Sequence, residues 1–107
     1  MLYKFKSKVT GDLIMLEPNG RHALQIIGKE PGPKGIIQVA DMPAAIAALQ
    51  RAIVDDESQR EAEHQAALAE GRDIAVDEAV SLRRRLVPMI DMLQRCLKAQ
   101  ADVVWGV

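Results

Sequence analysis

Residues 2–8 read LYKFKSK, and this stretch decides the fold. Its aromatic residues, Tyr3 and Phe5, fall on one side of an alternating pattern, and its lysines fall on the other. Alternation of this kind predicts a half-buried β-strand. The third aromatic residue, Trp105, lies in the stretch DVVWGV at 102–107, which is also rich in strand-forming residues. We therefore expect two terminal strands that pair and gather the three aromatic side chains.

The middle of the chain has helical spacing. Apolar residues recur every three to four positions in three segments, which predicts helices over about 19–28, 41–70 and 81–100. The sequence therefore predicts an α+β fold: a mostly helical single domain over 1–107, with two or three helices and a small β-sheet formed by the N- and C-terminal strands.

Capping residues set the expected helix boundaries. Asn19, Asp41 and Ser81 are residue types that favour the N-cap position. Gly28 suits the left-handed position that often follows the last turn of a helix.

Some short stretches allow two interpretations. Residues 12–16 form either a strand or a first helical turn, and residues 36–39 form either a strand or an extended lead-in to the next helix. Residues 17–20, EPNG, indicate a break. Pro88 either kinks the last helix or begins it.

The predicted core is mostly aliphatic, because the chain has only three aromatic residues. The residues expected in it are Phe5, Leu24, Ile27, Ile46, Leu49, Ile53, Leu86, Ile90, Leu93 and Trp105.

Charge is nearly balanced overall but uneven along the chain. The formal net charge is −1, whereas residues 55–80 carry two arginines and nine carboxylates. We expect this acidic, solvated segment to extend the second helix into water. The sharper alternative is an electrostatic arm that steers a partner. A pI near 6.1 and the scarcity of aromatic residues argue against nucleic-acid binding.

The sequence indicates a cytoplasmic protein without a membrane span. A single cysteine, Cys96, excludes an internal disulfide and favours a reducing compartment. Lysines interrupt the N-terminus too early for a signal peptide. The longest uninterrupted apolar run, Met42 to Leu49, is far too short to cross a bilayer.

No motif predicts catalysis, a metal or a cofactor. The strong nitrogen and sulfur ligands, His22, His64 and Cys96, have none of the paired spacings of metal sites. Cys96 lies on an apolar helix face, where a thiol is a small buried hydrophobe rather than a nucleophile. We therefore expect a protein that is not an enzyme.

The least expected local feature is the arginine cluster Arg83, Arg84 and Arg85. Three cations in the first turn of a helix oppose its macrodipole and require compensation. Carboxylates such as Asp77 and Glu78, or those of residues 55–70, would supply it within the chain. The functional alternative is an external anion or phosphate ligand held by the cluster together with Lys34.

The order of several short pieces resembles the bacterial domain-of-unknown-function family 1840. The resemblance runs nearly end to end but does not include residues 55–80. The pieces are FKSK at 5–8, DLIM at 12–15, IIG at 26–28, GII at 35–37, DMPAAI at 41–46, PMIDML at 88–93 and VVW at 103–105. The resemblance implies a free-standing bacterial cytoplasmic protein and assigns no activity or site residue.

Taken together, the residues favour a small non-catalytic interaction or accessory module. Its expected partner is another protein or a second copy of itself. The alternative is an anion-binding protein that uses the arginine cluster.

Overall fold

The computed structural model describes residues 2–71 and 82–106. Within these ranges the fold is α+β, as the sequence predicts, with three α-helices and a four-stranded antiparallel sheet. In chain order the elements are β1 (Leu2–Lys6), β2 (Leu13–Leu16), α1 (Glu17–Ile26), β3 (Gly35–Ile37), a 3-10 turn (Val39–Asp41), α2 (Met42–Ala69), α3 (Leu82–Ala99) and β4 (Val103–Trp105).

The sheet has the strand order β2-β1-β4-β3. The two terminal strands pair as predicted, with Phe5 opposite Trp105. Both ambiguous apolar stretches become strands: β2 pairs with β1, and β3 pairs with β4. Each lies at an edge of the sheet.

One face of the sheet supplies the core. Its side chains are Tyr3, Phe5, Met15, Ile37, Val103 and Trp105, which join the buried residues of the three helices in one cluster. The aromatic rings lie together, with centroids 6.1 Å apart for Tyr3–Phe5 and 5.9 Å for Phe5–Trp105. Over residues 2–71 and 82–106, the helices therefore lie on one side of the sheet.

Helix α1 begins two residues earlier than predicted. Residues 17–20 are not a break but its first turn, because Pro18 fits the first helical positions, where its missing N–H costs nothing. Asn19 therefore lies inside the helix and does not cap it. Gly20 is buried against the Tyr3 side chain. A larger residue would clash with Tyr3 at this position, which accounts for a glycine inside the helix.

Helix α1 ends at Ile26, two residues before the predicted bound, and Gly28 takes the predicted left-handed position. Gly28 has φ +78°, and Lys29 N–H donates to the Leu24 carbonyl at 2.9 Å, the bond pattern of a helix closed by a left-handed residue. The Gly28→Ala variant is expected to lose about 1 kcal/mol of unfolding free energy, because a Cβ is disfavoured at this backbone angle. Nothing lies within 4 Å of that Cβ, so the loss would report conformation alone.

Urea unfolding of Gly28→Ala and Gly11→Ala checks this expectation. Gly11 is equally open to solvent but does not have a positive φ, so its variant should be neutral or slightly more stable. Equal stability of the two variants would contradict the account of the helix end.

Helix α2 closely matches the predicted bounds 41–70. Asp41 occupies the N-cap position, but its side chain makes no capping bond and instead accepts a 3.2 Å hydrogen bond from Lys29 Nζ. Ile53 is the last buried residue of this long helix. The radius of gyration of 16.0 Å exceeds the roughly 13 Å of a compact chain of this length, which fits a projecting helix end.

Helix α3 contains Pro88 and continues on both sides of it. The helix therefore does not begin at the proline, and of the two alternatives the one observed is a single helix that includes Pro88. Ser81, the predicted cap, lies outside the described residues. No helix in the described part of the chain is long and apolar enough to cross a bilayer.

The core prediction is largely confirmed. Eight of its ten residues are buried, and the other two, Ile27 and Ile46, pack at the margin of the cluster and are partly exposed. Four further residues that are not among these ten are fully buried: Ile37, Met42, Met89 and Val103.

Candidate functional site

The arginine cluster lies in the first turns of α3, and Arg83 is paired within the chain. Its Nε is 2.5 Å from Oε1 of Glu57 on α2. The acidic segment 55–70 thus supplies one of the compensating carboxylates that the sequence predicts. Asp77 and Glu78, the other candidates, lie outside the described residues.

The remaining cations of the predicted site point to different surroundings. Arg85 Nη1 donates to Oδ1 of Asn19 on α1 at 3.2 Å. Arg84 is exposed at the surface of α3 and has a contact of its own. Lys34 lies in the loop before β3 with its backbone against Gly106, whereas the arginines lie on α3.

The hydrogen bond from Arg83 lowers the pKa of Glu57. A carboxyl whose pKa is lowered by folding adds stability above its unfolded pKa, and this contribution disappears as pH falls through the folded value.

In Arg83→Ala, the Glu57 pKa is expected to rise towards its ordinary value. Carboxyl-detected NMR titration of both proteins checks this, and coincident midpoints would contradict the pairing. Both groups are exposed, so the effect should shrink with added salt.

The cysteine and histidines do not form a site. Cys96 is buried on α3, where its thiol donates to Oγ of Ser7 at 3.2 Å. His22 on α1 and His64 on α2 are exposed. Over residues 2–71 and 82–106, no group of three or more histidine, cysteine or acidic side chains gathers to hold a metal.

A larger feature is the side of the sheet that the helices do not cover. We call it the open sheet face. Residues opposite one another in an antiparallel pair share a face, and alternate residues along a strand do so too. The registers therefore place on it Leu2, Lys4, Lys6, Ile14, Leu16, Ile36 and Val104.

The open sheet face is rich in exposed aliphatic side chains. Leu2, Ile14 and Leu16 are more than half exposed, at 56%, 57% and 63%, and Ile36 is 40% exposed. Single exposed aliphatics are ordinary, but several on one face, here Leu2, Ile14 and Leu16 at one edge of the sheet and Ile36 at the other, are typical of an interaction surface.

Lysines lie among these aliphatic side chains. Lys4 stands opposite Ile14 and is 3.5 Å from a carboxylate oxygen of Asp12. Lys6 stands opposite Val104 in the middle of the sheet. A groove of about 720 Å³ continues this face, and Lys6, Lys8, Val9, Ile36 and Val104 are among the residues that line it.

A second uncovered surface is the outer part of α2, residues 54–69, which we call the acidic arm. It contains five carboxylates and one arginine. None of its residues is buried, and its two large aliphatics, Val54 and Leu68, are 61% and 55% exposed.

Sequence reasoning identified the acidic segment and the lysine side of β1 but missed the open sheet face. The available signal was that β2 is apolar at all four positions, so a single buried face cannot account for it. Deciding which of its residues face water requires the strand order, which local periodicity does not supply.

Comparisons with known proteins place the chain in a family. Comparison with curated proteins and with solved structures finds no match. The family model described as a domain of unknown function, DUF1840, matches residues 1–105. Because this match spans nearly the whole chain, the protein belongs to the DUF1840 family.

Proposed function

We propose that this protein is a non-catalytic interaction module that docks a protein partner on its open sheet face. The observation that carries the proposal is the group Leu2, Ile14, Leu16 and Ile36, all exposed on one side of a sheet whose other side is the core. In the part of the chain that the structure describes, only one side of the sheet is covered, which leaves the outer face available to pack against another chain.

The energetics favour a partner with acidic groups beside apolar ones. Removing apolar surface from water gives about 25 cal/mol per Å², so four aliphatic side chains supply a useful driving force. Lys4 and Lys6 would add selectivity, since carboxylates opposite them increase the association rate and fix the orientation. The lone buried thiol of Cys96 agrees with a reducing, cytoplasmic setting for this module.

Site-specific photocrosslinking tests the docking surface. A photoreactive amino acid is placed at Ile14 in one version of the protein and at Val87 in the other. Val87 is the control because it is also apolar and exposed, at 44%, but lies on α3. The crosslink is formed in cells that express the protein natively.

We expect a discrete crosslinked product from position 14 and none from position 87. The captured partner, once purified, should bind the wild type and lose binding to Ile14→Glu. The proposal would be overturned by equal labelling at both positions or by unchanged binding of the variant.

Anion binding by the arginine cluster is the second candidate function. The observation in its favour is that Arg85 Nε is buried and has no hydrogen-bond partner among the described residues. We rank it second because Arg83 is already paired to Glu57 and Lys34 lies in the loop before β3 rather than on α3.

Thermal unfolding with inorganic phosphate and with nucleotides at low salt tests this second candidate. A ligand that binds the folded protein raises Tm. The rise should disappear when Arg83, Arg84 and Arg85 are replaced by alanine. An unchanged Tm across the phosphate series would remove this candidate.

A further inference from the structure

We propose that the partner on the open sheet face is the acidic arm of a second copy of this chain. This inference rests on the proposed function, because it names the occupant of the same docking surface. Each copy would provide one arm and one face, and a two-fold dimer would use both.

Charge complementarity is the first argument. The arm has five carboxylates against one arginine, and one of the five, Glu57, is already paired with Arg83 on α3. The open sheet face has Lys4, which also contacts Asp12, and Lys6, and the adjoining groove has Lys8 and Asp102. Opposite charges on two uncovered surfaces of one chain favour contact between copies and disfavour stacking of like surfaces.

The length of the arm is the second argument. Residues 54–69 extend α2 by about 24 Å at 1.5 Å per residue. A helix of this length without a buried stripe is marginal in water, since most helical stability comes from packing. The arm continues α2, which packs on α3 and α1 on the covered side of the sheet, so as one continuous helix it does not turn back onto its own open face. A second copy can provide the missing packing.

The pattern of side chains on the arm is the third argument. Val54, Glu61 and Leu68 are spaced by seven residues and so form one stripe along the helix. This stripe is turned from Ile53 by about 100° at Val54, about 80° at Glu61 and about 60° at Leu68, and so runs beside the core-facing side rather than along it. It presents a carboxylate between two aliphatic residues.

The open sheet face has the matching order. Leu2 and Leu16 lie at one corner, and Ile36 and Val104 lie across the sheet from them. Lys4 and Lys6 lie between these two groups on β1. An arm laid across the face would bring its aliphatic residues to the two aliphatic groups and Glu61 to the lysines. In a two-fold dimer this contact occurs twice.

Analytical ultracentrifugation of charge-reversed variants tests the dimer. The face variant is Lys4→Glu with Lys6→Glu, and the arm variant is Asp55→Lys with Glu61→Lys. We expect each to weaken self-association on the order of a hundredfold, since like charges would oppose each other at the contact. Raised salt should weaken the wild-type dimer as well.

Mixing the face variant with the arm variant is the decisive step of the experiment. The reversed face and the reversed arm are complementary again, so the mixture should form a heterodimer while each variant alone stays monomeric. Arg95→Glu with Lys98→Glu makes the same change in net charge as the face variant but on α3, away from the face and the arm, and it should dimerise like the wild type. The arm variant changes only exposed helix positions and should fold normally. It therefore still tests the dimer on its own if the face variant fails to fold.

Two results would overturn the self-association. One is a wild-type protein that stays monomeric up to the concentrations used for NMR, and the other is a dimer indifferent to both variants. The proposed function fails separately, by equal crosslinking at positions 14 and 87. A monomeric wild type that still crosslinks another protein at Ile14 would show that the face docks a different partner.

Discussion

Replacing Trp105 with alanine is expected to lower the free energy of unfolding by about 3–5 kcal/mol, as measured by urea or thermal unfolding. The indole is 2% exposed and packs against Phe5, with the ring centroids 5.9 Å apart. Its Nε1–H donates to the Gly32 carbonyl at 3.0 Å. The variant therefore leaves a cavity and a carbonyl without its donor. Because domains are stable by only about 5–15 kcal/mol, the loss should be a large fraction of the total.

The neighbouring Val104→Ala is the matched control for Trp105→Ala. Val104 lies on the same strand but faces the open side of the sheet. Its truncation should cost about 1 kcal/mol or less, as expected for a surface position. Similar losses for the two variants would contradict the assignment of one covered and one open face.

Replacing Gly20 with alanine is expected to destabilise the protein by about 1–2 kcal/mol, although glycine to alanine in a helix usually stabilises by up to about 1 kcal/mol. A Cβ at position 20 would lie 2.6 Å from Cδ2 and 2.8 Å from Cβ of Tyr3. The second of these atoms is close to the backbone and cannot move away as a flexible side-chain end could. Overpacking of this kind costs about 1–3 kcal/mol and outweighs the gain in helix propensity.

The thermal unfolding midpoint of Gly20→Ala should therefore fall by several degrees. The combined variant Tyr3→Ala with Gly20→Ala should be less destabilised than the sum of its single variants, since removing the ring removes the clash. A rise in the midpoint of Gly20→Ala would show that helix propensity dominates and that Tyr3 does not pack on the glycine.

The terminal strands could be predicted because their signal is local. Tyr3 and Phe5 alternate with lysines, and the single tryptophan lies in a β-rich stretch, so pairing and aromatic contact follow from period and composition. The long helix could be predicted for a similar reason: its apolar stripe at Leu49 and Ile53 has helical spacing, and its continuation is rich in helix formers.

The start of α1 could not be predicted from local preference. Glutamate, proline, asparagine and glycine at 17–20 have the composition of a turn. The helix forms there because Gly20 allows close approach to Tyr3, a contact between residues far apart in the sequence. Tertiary packing thus outweighs the intrinsic preference of the segment.

In the candidate sites, too, local features could be predicted from the sequence, whereas contacts between distant residues could not. Arg83 to Arg85 could be recognised by composition, and intramolecular compensation followed from the helix dipole. The partner Glu57 lies 26 residues earlier, and only the packing of α2 on α3 selects it. The open sheet face depends on strand order as well: Ile36 and Ile37 are identical in chemistry, yet one is exposed and the other is fully buried.

This pair of isoleucines provides the most direct test of the central claim that one side of the sheet is open for docking. The measurement is methyl NMR of the dilute protein with a soluble paramagnetic reagent, which broadens signals from groups that it can approach. We expect strong broadening of the Ile14 and Ile36 methyl signals and none of the Ile37 signal. Protection of Ile14 and Ile36 equal to that of Ile37 in the monomer would contradict the claim, because the chain would then cover its own sheet face.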